Sequence, residues 1–144
     1  DRDLICKLET NIDDCTGENL GYVMERLFEE GARDVHFTPV YMKKNRPAWQ
    51  LNVICCQEDR EKLEQIIFRE TTTIGIRRIH MERTVLNREQ KMVTTLIGDV
   101  KVKACQVDGS WRYYPEYESV ARLSREKKLP YMEVYQMAME RVMQ

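Results

Sequence analysis

Apolar and polar positions alternate from the start of the chain. Leu4, Cys6 and Leu8 are interleaved with Lys7 and Glu9, a period of two that predicts a strand over 4–10. Asn11 to Gly17 reads as a turn. Thr16 is placed to cap a helix, and Glu18 complements the dipole in its first turn. Leu20, Val23, Met24, Leu27 and Phe28 then recur at helical spacing, which predicts a helix over 17–30 with one buried stripe, ended by Gly31. Val35, Phe37, Pro39 and Tyr41 return to alternation as a second strand, and Pro39 suits an edge position. Lys43 to Pro47 form a basic hairpin loop before a third strand carrying Trp49, Leu51, Val53 and Cys55. Residues 57–70 open on Glu58, Asp59 and Glu61 and carry Leu63, Ile66 and Ile67, so they predict a second helix. Thr71 to Gly75 stop it, and a long strand is expected over 76–86, with Ile79, Met81 and Val85 on one face.

The order β-α-β-β-α-β is that of the ferredoxin-like split βαβ motif. The expected class is therefore α+β, with a ferredoxin-like core over 1–86. Two further strands follow at 90–96 and 100–107, turning at Ile97-Gly98-Asp99. Two helices are expected at 115–127 and 130–143, each with a proline at its first position. Residues 87–144 thus read as a hairpin and helical extension packed on the core, one structural unit with it.

A chain of 144 residues suits one domain and buries roughly 70% of its unfolded surface, enough for a core without disulfides. Charged residues at 33% and hydrophobic residues at 42%, with 6 Gly and 4 Pro, argue against disorder. The 5 cysteines are odd in number and two are adjacent, a poor disulfide framework that points to a reducing cytoplasm. No CxxC occurs, and neither His36 nor His80 is spaced for a tetrahedral zinc site. No apolar run reaches a membrane span and no signal peptide is visible, so no membrane partner is expected. The chain opens on Asp1 without a methionine, which suggests a piece of a longer protein.

The net charge of −1 conceals segregation: residues 1–31 are net −6, 32–50 net +3 and 68–88 net +3. Near neutrality argues against global attraction to nucleic acid but leaves room for a local site. Glu9-Thr10-Asn11-Ile12-Asp13-Asp14 packs three carboxylates at a strand's end, an oxygen-rich set that suits a hard cation. A polar turn ahead of a helix has the same look. Lys43, Lys44 and Arg46 set three cations within four positions. Such a loop fits phosphate oxygens, and it equally fits a solvated hairpin tip. Arg69, Thr71, Thr72, Thr73 and Arg77 place hydroxyls between arginines, as a phosphate site or as an ordinary β-branched strand start. Tyr113-Tyr114-Pro115-Glu116-Tyr117 offers aromatics to a ring or closes a helix onto a sheet. There is no GxxxxGK[ST] or GxGxxG loop, and no Ser-His-Asp or Cys-His arrangement.

Four strings together resemble one family: Glu-Thr-Asn-Ile-Asp-Asp (9–14) with Thr-Gly-Glu (16–18), Tyr-Met-Lys-Lys-Asn-Arg-Pro (41–47), Phe-Arg-Glu-Thr-Thr-Thr-Ile-Gly-Ile-Arg (68–77) and Pro-Glu-Tyr-Glu (115–118). They look like the C-terminal domain of LarC, the nickel-insertion proteins of nickel-pincer cofactor synthesis. Cys15 departs from the pattern, which has Met there, and leaves the charged groups intact. The resemblance implies a CTP-dependent cyclometallase, a nickel chelatase of the lyase class. It would insert nickel into pyridinium-3,5-bisthiocarboxylic acid mononucleotide, with CTP and Mg or Mn bound by this domain. The N-terminal domain of the same protein and further copies of the chain would be partners, and the isolated domain would be inactive. On that basis Lys43, Lys44 and Arg46 would neutralise the triphosphate. Arg69, Thr71, Thr72, Thr73 and Arg77 would hydrogen-bond phosphate or ribose. Asp13 and Asp14, with Glu9 third, would hold the divalent ion, and Glu116 and Tyr117 would border the base.

Two other classes compete. One is a non-catalytic nucleotide-sensing module on the same fold. The other is an RNA-binding module, which normally stacks bases on aromatics of the central strands. The first strand has no aromatic and the third only Trp49, which counts against RNA.

Overall fold

The computed structural model describes residues 3–143. It divides into two compact units, meeting in sequence between Thr84 and Val85.

The first unit contains β1 (Asp3–Ile12), α1 (Gly17–Glu29), β2 (Asp34–Met42), β3 (Arg46–Cys55), α2 (Arg60–Glu70) and β4 (Arg77–Arg83). The sheet order is β2-β3-β1-β4 and every neighbouring pair is antiparallel. That is the ferredoxin-like arrangement, and β2 with its Pro39 lies on an edge. Cys6, Leu8 and Ile12 of β1 pack with Leu51, Val53 and Cys55 of β3 against Leu20, Val23 and Leu27 of α1 and Leu63, Ile66 and Ile67 of α2. Both helices therefore cover one face of the sheet. Alternation sends Lys7, Glu9 and Asn11 to the other face.

Local sequence explains the joints. Thr16 caps α1, its side chain accepting from the Asn19 N–H at 3.1 Å. Gly31 takes a φ of 106° after the helix, where a residue with a Cβ is disfavoured. A single 3-10 turn, Gln57–Asp59, precedes α2, so the α-helix begins later than the sequence pattern predicts. Thr71 ends α2 by donating from Oγ1 to the Ile67 carbonyl at 2.7 Å. The fourth strand is shorter than expected, Arg77–Arg83 rather than 76–86, and Val85 lies outside it. Its helix-side positions, opposite Leu8 and Cys6, are Arg78 and His80. Arg78 can occupy that face because its guanidinium meets Glu64 of α2 at 2.6 and 2.9 Å.

The second unit contains β5 (Arg88–Thr95), β6 (Gly98–Val107), β7 (Ser110–Pro115), α3 (Tyr117–Lys127) and α4 (Tyr131–Val142). It has its own core of Val93, Val100, Val102, Val120, Leu123, Val134 and Ala138. The expected hairpin gains a third strand, giving an antiparallel β5-β6-β7 meander. Asp108 and Gly109, both at positive φ, make the tight turn into β7. Pro115 is consequently the last residue of a strand, opposite Val102, and not the first of a helix. The β5–β6 turn falls on Leu96-Ile97, one residue earlier than predicted, because Thr95 pairs with Gly98. Among the described residues no helix is long and apolar enough to cross a membrane.

Candidate functional site

The site is built where β1 runs out. Its last residues pair with β4 on one side, Glu9 opposite Arg77, and with β3 on the other, Asn11 opposite Gln50. Register thus brings three segments to one end of the sheet. Arg77 Nε donates to Glu9 Oε1 at 2.9 Å and Nη2 to Asn11 Oδ1 at 3.1 Å, and Gln50 Nε2 donates to the same Asn11 oxygen at 3.2 Å. The Arg77 hydrogen bond, helped by Lys7 at 3.3 Å, holds the Glu9 carboxyl below its ordinary range despite partial burial. Further across the same face lies Asn52, 1% exposed, its amide donating to Thr38 Oγ1 at 3.3 Å.

The basic loop is a three-residue connection between the paired residues Met42 and Arg46. Lys44 and Asn45 both adopt left-handed φ, 62° and 57°. Asn tolerates this region well, and a lysine there is uncommon. Pro47 is accommodated because β1 pairs with β3 only up to Trp49, leaving the start of β3 bonded on one side. Arg46 Nη1 comes within 3.6 Å of Asp13 Oδ2. Lys43 and Lys44 are exposed, and among the described residues they make no ion pair.

The threonine segment is tied to β1 and α1. Thr10 Oγ1, Thr73 Oγ1 and the Gly75 carbonyl form a triangle with edges of 2.5, 2.8 and 3.0 Å. Thr72 Oγ1 donates to Asp14 Oδ1, and Cys15 Sγ lies 3.7 Å from the same hydroxyl. Asn19 Nδ2 donates to the Glu70 carbonyl at 2.9 Å, fastening the end of α2 to the start of α1. Ile74 at the loop's tip is 99% exposed.

Of the candidates named from sequence, Glu9, Asp13, Asp14, Arg46, Thr72, Thr73 and Arg77 are therefore in direct contact across the three segments. Thr71 is spent on capping α2. Arg69 is exposed and makes no ion pair among the described residues. Glu116 and Tyr117 lie in the second unit, Glu116 accepting from Gln90 Nε2 at 3.0 Å and Tyr117 stacking on Tyr131 at 5.7 Å. Three residues outside the chosen candidates hold the site together: Thr10 and Asn11, which the sequence offered only as members of the oxygen-rich string, and Asn19. Their signal was position alone, next to charged residues at a strand end and a helix start.

Among the described residues no group of three or more His, Cys, Asp or Glu side chains is disposed to hold a metal by itself. Glu9 is committed to Arg77 and Lys7. Asp13 and Asp14 remain as exposed oxygen donors, each with one partner. Two carboxylates suit a magnesium-like ion that takes its other ligands from phosphate and water.

The α+β architecture is that of a known protein class. Residues 1–135 match the model of the nickel insertion protein family, and the chain belongs to that family. It is 55% identical over 128 residues to the pyridinium-3,5-bisthiocarboxylic acid mononucleotide nickel insertion protein of Alkaliphilus metalliredigens, covering 89% of this chain and 30% of that one. It is 43% identical over 137 residues to the protein of the same name from Lactiplantibacillus plantarum, covering 95% and 33%. The chain thus spans about a third of the length of these relatives. Its fold matches the apo form of the C-terminal domain of LarC, a cyclometallase involved in synthesis of the NPN cofactor of lactate racemase. The TM-score is 0.90, the identity 42%, and both chains are covered in full.

Proposed function

We propose that the two units together form the nucleotide-binding C-terminal domain of a cytoplasmic, CTP-dependent cyclometallase. The whole protein, a lyase, would insert nickel into pyridinium-3,5-bisthiocarboxylic acid mononucleotide. The observation that carries the reading is the meeting of Arg46 with Asp13 and of Thr72 with Asp14 at one strand end. A triphosphate with its divalent ion needs both signs of charge together.

In this reading Lys43, Lys44 and Arg46 neutralise phosphate charge, and the left-handed loop keeps both lysines solvated and free to engage it. Thr72, Thr73 and Arg77, with Arg69 at the helix end and Thr71 fixing the turn, orient phosphate or ribose. Asp13 and Asp14 hold Mg or Mn, which when bound draws off phosphate charge; Glu9 sets the position of Arg77. Nickel and the pyridinium mononucleotide are substrates whose loading involves the N-terminal domain and further copies of the chain.

The test is calorimetric titration of CTP with Mn into the wild type and into Lys43→Ala/Arg46→Ala. Loss of binding in the double variant is expected. Unchanged binding would sink the phosphate assignment. Binding of CTP without turnover by this piece alone places the remaining chemistry in the rest of the protein. If the complete protein also fails to turn CTP over, the nucleotide-sensing reading replaces the enzyme.

A further inference from the structure

The two edges of the first sheet differ. β2, at one edge, carries Pro39 within it, which removes a ladder donor and deters a further strand. β4, at the other edge, has no proline, and between Arg78 and Arg83 it reads Ile79-His80-Met81-Glu82. Among the described residues no strand pairs along its outer side. Ile79 is 42% exposed and Met81 half-buried. Beside this edge the core row of β1 runs on past its cover. Leu4 alternates onto the helix side with Cys6 and Leu8, yet those two are fully buried and Leu4 is 62% exposed. Glu82 lies opposite Leu4 and His80 opposite Cys6 on that same side. With Ile5, Met81 and Gln57, which sits in the turn before α2, they line a groove of about 450 Å³. Its lining mixes apolar and polar residues, as protein interfaces do.

The chain enters at this edge. Asp3, the first residue of β1, lies opposite Arg83 and is clamped by Arg83 Nε at 2.5 Å and Arg33 Nη1 at 3.5 Å. Strands stand about 5 Å apart, so whatever precedes Asp3 emerges about 5 Å from β4 and about 10 Å from the position of a strand beyond it. The relatives are about three times as long as this chain, and the matched C-terminal domain is covered in full. In the C-terminal-domain reading of the chain, on which this inference rests, the other two thirds precedes β1. A segment tethered so close has an effective concentration on the order of millimolar, far above that of a free second copy.

We propose that the outer edge of β4 and the groove beside Leu4 are the docking surface for the N-terminal part of the complete protein. An extended segment of that part pairs with the free backbone groups of Ile79 to Glu82 as a fifth strand and lays an apolar side chain into the groove. Main-chain hydrogen bonds supply the affinity, and the groove selects the side chain. The first sheet is completed only in the whole protein, and the N-terminal part is held against β4 rather than left on a free linker.

The experiment is hydrogen–deuterium exchange of the complete protein beside this chain alone, read at Ile79 to Glu82. Alternate amides there should exchange fast in this chain and about tenfold slower or more in the complete protein. Amides of β2 should exchange alike in both. Leu4→Glu in the complete protein should return the β4 amides to fast exchange, and Leu4→Ile should not. In this chain alone both variants should keep the wild-type circular dichroism and Tm, since Leu4 is largely exposed. His80→benzoylphenylalanine in the complete protein should crosslink on irradiation to residues that precede this chain, within one copy when light and heavy isotope-labelled proteins are mixed. The proposal is overturned if the β4 amides exchange alike in the two proteins or are already slow in this chain alone. It is overturned also if the crosslink joins light copies to heavy ones or falls on residues 85–144. A complete protein no longer than this chain would overturn the C-terminal-domain reading and the proposal together, whereas a longer protein with an unprotected β4 overturns the proposal alone.

Discussion

Arg77 and Glu9 stand opposite one another on β4 and β1, joined at 2.9 Å, and the same guanidinium reaches Asn11 at 3.1 Å. One arginine thus fixes two side chains of the strand that leads into Asp13 and Asp14. It also spends the Glu9 carboxylate. A cation that needs oxygen ligands then finds Asp13 and Asp14 before it finds Glu9. Titration with CTP and Mn should show this order. Asp13→Asn and Asp14→Asn should each weaken binding about tenfold or more, by loss of a charge-assisted contact. Glu9→Gln should cost less, and should act equally on CTP with and without the metal. Equal, metal-dependent losses for all three would return Glu9 to the ligand set.

A second ion cluster ties α2 to β4. Glu64 is 7% exposed and accepts from Arg78 at 2.6 and 2.9 Å and from Arg60 at 3.0 Å. Glu64→Gln should cost about 2 kcal/mol, the range for a hydrogen-bonded charge, and lower Tm by roughly 10 °C for a domain of this size. Arg78, with Arg60 and against opposing desolvation, holds the Glu64 carboxyl below its ordinary value. Asp3 and Glu9 are lowered in the same direction, by Arg83 and Arg77 first. A depressed carboxyl stabilises the fold above its unfolded value and loses that contribution as pH falls through the folded one. Tm should therefore be flat above about pH 5 and fall below about pH 4, where ordinary carboxyls take up protons. The Glu64→Gln profile should be shallower on the acid side; a parallel profile would mean that Glu64 carries none of the acid dependence.

The first unit was legible because its signals are local. Alternation in β1, the stripe of Leu20, Val23 and Leu27, and Pro39 at an edge each depend on a few neighbouring residues. The β4 boundary failed because Ile76 and Val85 extend the apolar pattern beyond the last paired residues, Arg77 opposite Glu9 and Arg83 opposite Asp3. β7 was missed although Asp108-Gly109 is a strong hairpin signal, since Pro115 two residues before α3 reads equally as a helix start. In the site, the residue types were visible but their pairing was not. Arg46 meeting Asp13 and Arg77 meeting Glu9 are set by register between strands far apart in sequence. Thr10 and Asn19, uncharged and small, gave no reason to be chosen until Gly75 and Glu70 appeared beside them.

The thiols divide by environment. Cys6 and Cys55 sit opposite one another on β1 and β3, both fully buried, and Cys105 is 9% exposed. Burial first, then the neighbouring Cys6, pushes the Cys55 thiol up to about 11. Only the thiolate reacts. Titration with a disulfide reagent at pH 8 should therefore show Cys15 and Cys56 reacting fast and the other three only on unfolding. Cys15→Ser should remove half the fast phase. Bound CTP should slow it as well, because Cys15 lies 3.7 Å from the Thr72 hydroxyl. A fast phase of more than two thiols would contradict the burial of Cys6, Cys55 and Cys105.

Thr10 is the pin of the threonine loop. It is 2% exposed, and its hydroxyl shares the Gly75 carbonyl with Thr73. Thr10→Val keeps the shape and removes the hydroxyl, at a cost of about 1 kcal/mol. The larger effect should be local. Without the pin, amides from Thr72 to Ile76 should exchange with deuterium faster, while Val23 and Leu27 in α1 keep their protection. Global loosening would show instead that Thr10 serves the core alone. CTP affinity should fall with the loop's order, since Thr72 and Thr73 would no longer be held in place. Thr10→Ser, which restores the hydroxyl, should recover both slow exchange and affinity.

Gly98 opens β6 at a φ of 144°, and a Cβ there would meet Leu123 Cδ2 at 2.7 Å. Leu123 is 2% exposed and sits in the core of the second unit, so it has little room to withdraw. Gly98→Ala therefore combines backbone strain with overpacking and should cost about 2 kcal/mol. Pairing Gly98→Ala with Leu123→Ala removes the clash but leaves the strained φ, and Leu123→Ala alone opens a cavity. The double variant should therefore be more stable than the sum of the two single losses predicts. Strict additivity in urea titrations would show that the backbone, and not the contact with Leu123, requires glycine. In both cases the loss should appear first in amide exchange of β5, β6 and α3, with β1 to β4 unaffected, because each unit has its own core.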